Sequence, residues 1–173
     1  MTPVDLGAWV ARESARYPDA EAEDRLLAPF RGAEFFTRAQ VEQLVDRKFA
    51  DAPRRAQRVR EQLASEPDER IEDLTRQALA CFHDLVALLA CQALGGIAPA
   101  TASLLLAAQD PDRFVVIDRR AVTSLQTLGY LPDAAHFDPA QDWEPYLRAA
   151  RRLAADAGHD LPTTARALLA TGD

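Results

Sequence analysis

Leu94-Gly95-Gly96-Ile97-Ala98-Pro99, followed by Ala100-Thr101-Ala102-Ser103-Leu104-Leu105-Leu106-Ala107-Ala108, is the stretch whose reading decides the fold. Two adjacent glycines and a proline interrupt a run of strong helix formers. Glycine closing one helix and proline opening the next is ordinary helix punctuation. Upstream, Leu74, Ala78, Phe82, Leu85 and Leu89 recur at steps of three and four as far as Ala93, which predicts one central core helix. The stretch reads as helix, tight glycine hairpin, helix.

The flanks extend the helical pattern. Thr37 is a good N-cap for a helix over 38–49, with Val41, Leu44, Val45 and Phe49 on one face. Pro53 suits the first turn of the next helix, which brings Arg54, Arg55 and Arg58 close together. The opening segment to about Tyr17 suits a helix, and a loop rich in Asp, Glu and Ala follows as far as Pro29. Beyond the hairpin, Asp110-Pro111-Asp112 forms a turn before Phe114-Val115-Val116-Ile117. That β-branched run has no second strand to pair with, so it predicts a buried extended connector ending at Asp118. Asp118 can cap a helix over 119–125. A helix from about Trp143 to Ala157 ends at Gly158, and Thr163 or Thr164 can cap a last short one. The expectation is an all-α chain, 1–173 forming a single helical domain.

Composition bounds the function. The chain has 173 residues, of which 48% are hydrophobic and 27% charged, which places it among ordinary soluble domains and away from disordered chains. No stretch approaches the ~18 apolar residues of a membrane span, and the N-terminus lacks the basic and apolar regions of a signal peptide. The reading is a cytoplasmic protein with no membrane partner. Cys81 and Cys91, ten residues apart in one expected helix, would lie about 15 Å apart, too far for a disulfide. With the two cysteines and three scattered histidines, neither a metal site nor a cofactor is indicated.

The net charge is −7, and only residues 46–63 are basic, at +3. Strong sequence-independent DNA binding needs many cations on phosphates, so affinity for DNA should be weak. Arg47, Lys48, Arg54, Arg55, Arg58 and Arg60 can either touch a phosphate backbone or pair with the acidic 64–73 stretch, and the negative net charge favours the internal use. Lys48 is the sole lysine among 20 cations. A compact amine can be a chemical requirement or an ordinary solvated surface group. His83, beside Phe82, reads as half-buried and structural. Trp9, Trp143, Tyr130 and Tyr146 can line a base pocket or fill the core.

The hairpin has its own chemistry. A turn without bulky side chains, opening a helix N-terminus, leaves backbone N–H groups free to meet a phosphate. The plainer role for Gly95-Gly96 is a helix C-cap. Asp118, at the end of an apolar run, has poor solvation that Arg113, Arg119 or Arg120 can offset.

Residues 94–102 and 114–118 together resemble the helix-hairpin-helix DNA glycosylase superfamily, in which a Leu-Pro-Gly-Val-Gly-x-x-Thr-Ala hairpin precedes an Asp by some twenty residues. Asp118 stands 22 residues beyond Gly96. The resemblance spans about 30 residues, from Cys91 to Leu125, and the flanking helices look like a short bacterial branch of that superfamily. It implies an N-glycosidic hydrolase of base excision repair, acting on a damaged or modified base. Asp118 would be the catalytic carboxylate, supported by the charges of Arg119 and Arg120. Gly96, Ile97, Ala98 and Thr101 would hold a phosphate. Ala98 stands where the glycosylases have a second glycine, and Arg120 where many have a histidine. Ala100 occupies the position of the lysine nucleophile of bifunctional members, so the implied enzyme is monofunctional. Lys48 resembles a Trp-Lys-like position of the short branch and is a second candidate for the catalytic set. Two alternatives keep the fold: a non-catalytic nucleic-acid or protein interaction module, or an enzyme acting on a nucleoside or other small molecule.

Overall fold

The computed structural model describes residues 5–18, 20–133 and 136–171. Among them the chain is all-helical, with no strand. In chain order the helices are α1 (Leu6–Ser14), α2 (Ala20–Leu27), α3 (Arg38–Lys48), α4 (Pro53–Leu63), α5 (Asp68–Ala80), α6 (Asp84–Gln92), α7 (Pro99–Gln109), α8 (Arg119–Thr127), α9 (Pro139–Ala157) and α10 (Leu161–Ala170). A 3-10 turn, Ala28–Phe30, precedes α3. No described helix is long and apolar enough to cross a membrane. The chain divides into two compact units, one formed by Met1–Leu26 with Pro111–Asp173 and the other by Leu27–Asp110.

The 27–110 unit is built around α7. Thr101 through Leu106 and Ala108 are all buried, so this helix is apolar nearly all round and must be covered on every side. α3, α5, α6 and the 3-10 turn pack on it. α3 starts as the sequence predicts, in a capping box in which Thr37 and Gln40 satisfy each other's backbone amides. Its buried face is Val41, Leu44 and Val45, while Phe49 is its C-cap and only half-buried. Pro53 opens α4, which buries Ala56, Val59 and Leu63. The Arg38 guanidinium bonds the Leu63 and Glu66 carbonyls and pairs with Asp68 at 2.6 Å, which ties the end of α4 to the start of α5. Thr75, fully buried on α5, accepts a hydrogen bond from the Phe36 amide at 2.9 Å.

The single core helix expected up to Ala93 is two helices. α5 stops at Ala80, Cys81 and His83 take extended backbone, and α6 starts at Asp84. The three-and-four periodicity runs on through the break by coincidence: it finds the buried Ala78 on α5 but selects exposed Phe82 and Leu89 beyond it. α5 buries Ile71, Thr75 and Ala78, and α6 buries Ala87, Leu88 and Cys91. Phe82 is 93% exposed, with Val86 and Leu89 also open to solvent. Small residues on the inner face of α6 permit close approach to α5 and α7, which packing density rewards more than a larger side chain that does not fit. His83 is the exposed N-cap of α6 and not a half-buried helical residue. Cys81 and Cys91 do not share a helix. Both are free thiols, and burial pushes the Cys91 thiol up to about 12.

In the other unit, α1 packs on α9 and α10, and α8 packs on α9 and α10. The loop expected before Pro29 contains α2, whose Ala, Glu and Leu content and acidic first turn suit a helix. Residues 114–117 form the expected extended connector, with Phe114, Val115 and Ile117 buried. Trp143 stacks between Phe114 at 6.4 Å and Tyr146 at 6.1 Å, and both α9 residues are 0% exposed. α9 begins at Pro139, earlier than expected, and Gly158, at φ +69°, ends it. Asp160, not Thr163 or Thr164, caps α10, accepting from the Thr163 amide at 2.7 Å. The Thr163 hydrogen bonds hold its carboxyl below the usual range.

Leu88 on α6 and Phe82 just before it give a test of this packing. Leu88→Ala should cost about 2–5 kcal/mol and Phe82→Ala under about 1 kcal/mol, read as midpoint shifts in urea denaturation. Equal losses would mean that Phe82 is buried.

Candidate functional site

The six residues between α6 and α7 form a turn held by its own backbone and by α4. The Ile97 amide donates to the Leu94 carbonyl at 3.1 Å, and the Gly95 amide donates to the Glu66 carboxylate at 3.2 Å. Glu66 is held in turn by Arg70 at 2.8 Å. Gly96 has φ +79°, and a Cβ there would collide with the Gln62 side-chain oxygen and lie 3.3 Å from the Val59 Cα. The glycine pair therefore answers two local demands, a left-handed backbone and the close approach of α4.

Ala98 is the N-cap of α7 in ordinary extended backbone, φ −78° and ψ 163°, so its methyl group strains nothing. Its carbonyl accepts from the Thr101 and Ala102 amides, both at 2.9 Å. Among the described residues, the amides of Gly96, Ala98 and Ala100 have no acceptor. Ala98 and Ala100 belong to the start of α7, which has no acid in its first turn, and Gly96 to the turn before it. Of the four residues expected to hold a phosphate, Gly96 and Ala98 thus keep an unused donor. Ile97 has spent its amide within the turn, and Thr101 is 1% exposed, packed inside with the rest of α7. Ala100 does stand on the second hairpin helix, where it offers no amine.

In the other unit, Asp118 follows the buried connector directly. It sits in extended backbone at φ −141°, half-buried, and its Oδ1 accepts from the Arg120 amide at 2.9 Å. It is the N-cap of α8, and its carboxylate faces the positive end of that helix. Its second oxygen accepts no hydrogen bond among the described residues. The Tyr146 hydroxyl donates to the Val116 carbonyl at 2.8 Å, and burial, aided by the Asp118 charge, pushes that phenol far above its usual range. Arg119 and Arg120 are exposed beside the carboxylate. The Arg113 guanidinium lies 4.6 Å over the Phe114 ring. A carboxylate anchored by one oxygen at a helix start can present the other to a developing positive charge.

The remaining candidates separate cleanly. Lys48 is the last residue of α3, half-buried, where a cation suits the helix C-terminus. Trp143 and Tyr146 are core, with no face for a base to stack on. Tyr130 is half-buried, with its hydroxyl on Asp156 at 2.7 Å, and Trp9 is half-buried in α1. The internal pairing expected for the basic cluster is not what forms. Of the acids of 64–73, Asp68, Glu66 and Asp73 take Arg38, Arg70 and Arg76, while Arg60 pairs with Asp46 at 2.7 Å. Arg54, Arg55 and Arg58 pair with none of them. Nothing local in the sequence signals that Glu66 reaches Gly95, since the contact spans 29 positions.

No family model, curated protein or solved structure matches the chain.

Two substitutions separate these local roles. Gly96→Ala should cost about 1–3 kcal/mol, because it places a methyl group at positive φ against α4. Asp118→Asn should stay within about 0.5 kcal/mol of the native protein, because Asn caps a helix about as well as Asp, whereas Asp118→Ala should lose about 1 kcal/mol. Thermal or urea melts of the three variants check both statements.

Proposed function

We propose that the protein is a monofunctional N-glycosidic hydrolase acting on a damaged or modified base, with Asp118 as its catalytic carboxylate. The observation that carries this reading is the anchoring of Asp118. One oxygen is fixed by the Arg120 amide at 2.9 Å, and the other is unclaimed by any described donor. In the reaction the bond from C1′ to the base nitrogen breaks and its electron pair leaves with the base. The sugar becomes oxocarbenium-like, and a negative charge held in place stabilises it. Water then attacks C1′. Its oxygen forms the new bond, and its proton passes to the carboxylate and on to solvent. Ala100 excludes an imine at the hairpin position, so the sugar is released as an abasic site without strand cleavage. Separately from that carboxylate, the Gly96 and Ala98 amides of the 27–110 unit are donors of the kind a phosphate takes.

A second reading, a non-catalytic interaction module of the same fold, is favoured by one observation. Capping α8 already accounts for an Asp at 118 without any chemistry.

Base release from oligonucleotide duplexes carrying uracil, hypoxanthine, 3-methyladenine or 8-oxoguanine decides between them. The native protein should release at least one base, and Asp118→Asn should lower that rate by at least about 100-fold with its melting curve unchanged. No nick should appear before alkali treatment, and borohydride should trap no adduct. An adduct that disappears in Lys48→Arg would make Lys48 the nucleophile and overturn the monofunctional assignment. No release from any substrate leaves the module reading.

A further inference from the structure

We propose that Arg54, Arg55 and Arg58, on the first two turns of α4, form a contact surface for the phosphate backbone of duplex DNA. The three side chains are exposed, and among the described residues none has an ion pair or side-chain hydrogen bond. Their placement is electrostatically unfavourable in the free protein for two reasons. α4 has no acid in its first turn, so all three cations sit at the positive end of the helix. Arg54 and Arg58 are also spaced i,i+4, where like charges repel.

Among the described residues no acid forms an ion pair with them. Glu66, Asp68 and Asp73 are paired to Arg70, Arg38 and Arg76, and Asp46 to Arg60. Glu61, the one acid on α4, accepts from Gln57 at 2.9 Å. An external polyanion supplies what the fold withholds, and planar guanidinium groups suit phosphate oxygens better than compact amines do. Val59 and Gln62, which lie against Gly96, follow Arg55 and Arg58 by one turn each, so the arginines stand beside the contact that seats the turn before α7. Only three such cations keep the contact weak, in the range of about 10⁻⁴–10⁻⁶ M for non-specific binding.

This surface serves the nucleic-acid reading above but is measured by binding, not by base release. A short fluorescein-labelled duplex is titrated at 50 and 200 mM salt with the native protein, Arg54→Gln/Arg55→Gln/Arg58→Gln, and Arg76→Gln, whose partner is Asp73, all checked by circular dichroism. Neutralising three phosphates corresponds to a slope of log K against log salt of about −2.7. The triple variant should lose most of that slope and bind at least about 10-fold more weakly at 50 mM. The paired-arginine variant should keep both. A triple variant that binds like the native protein overturns the proposal, as does a native protein with no salt-dependent duplex binding. Arginine-dependent binding to phosphatidylserine vesicles without duplex binding overturns it in favour of a membrane surface. Native protein that binds through α4 yet releases no base retains this surface and loses the hydrolase. Base release with unchanged triple-variant binding does the reverse.

Discussion

The space beside Gly96 is filled by α4, and much of the 27–110 unit follows from that contact. Val59 and Gln62 stand where a side chain at position 96 would have to go. The turn between α6 and α7 is therefore seated on α4 by backbone, at a φ of +79° that only glycine adopts without strain. Once the turn is seated, the Gly95 amide meets Glu66, and Arg38 holds the carbonyls at the end of α4. The all-apolar α7 is left with no polar face to turn outward, so α3, α5 and α6 must enclose it. A hairpin that resembles a phosphate cradle in sequence is, in the first instance, a packing device.

The same contact divides the charges. Holding α4 by its inner face leaves its outer face with whatever the sequence supplies, and that is arginine. Of the acids that follow, Glu66, Asp68 and Asp73 are taken up by cations from α3 and α5. Counting charges along the chain averages over this sorting. It makes 46–63 and 64–73 look like partners because they are adjacent in sequence. In the fold, adjacency is set by which helix ends meet, and the Arg38 side chain reaches Asp68 across 30 positions before any α4 arginine can claim it.

How much of this was legible varied with the range of the interaction. Caps and breakers act within a few residues. Thr37, Pro53, Asp118 and Gly158 therefore mark their helix ends in the sequence as they do in the structure. Asp160 belongs to the same class of signal, but Thr163 and Thr164 after it offer competing caps in the sequence. The burial of α6 was not legible, because its inner face is Ala87, Leu88 and Cys91 while equally apolar Val86 and Leu89, and Phe82 just before the helix, face out. Periodicity weighs size, whereas packing weighs fit. At the candidate site, Asp118 and the hairpin glycines were visible as residues. The partners that define them, Glu66, Gln62 and the Arg120 amide, were not, since two of the three come from distant segments.

Asp118 shows why the chemistry is harder to read than the fold. A helix N-cap and an ionised carboxylate awaiting a positive charge ask for nearly the same geometry: extended backbone, one oxygen on an amide and a helix dipole behind it. Capping needs only an acceptor, and Asn or Ser supplies one equally well. Catalysis at a sugar needs a full negative charge, which of these only Asp supplies. The structure meets the requirement common to both, and the second oxygen does not choose between them, since Asp5 caps α1 through one oxygen in the same way. What sets Asp118 apart from that exposed cap is its half-buried place at the end of a connector whose Phe114, Val115 and Ile117 are locked into the core.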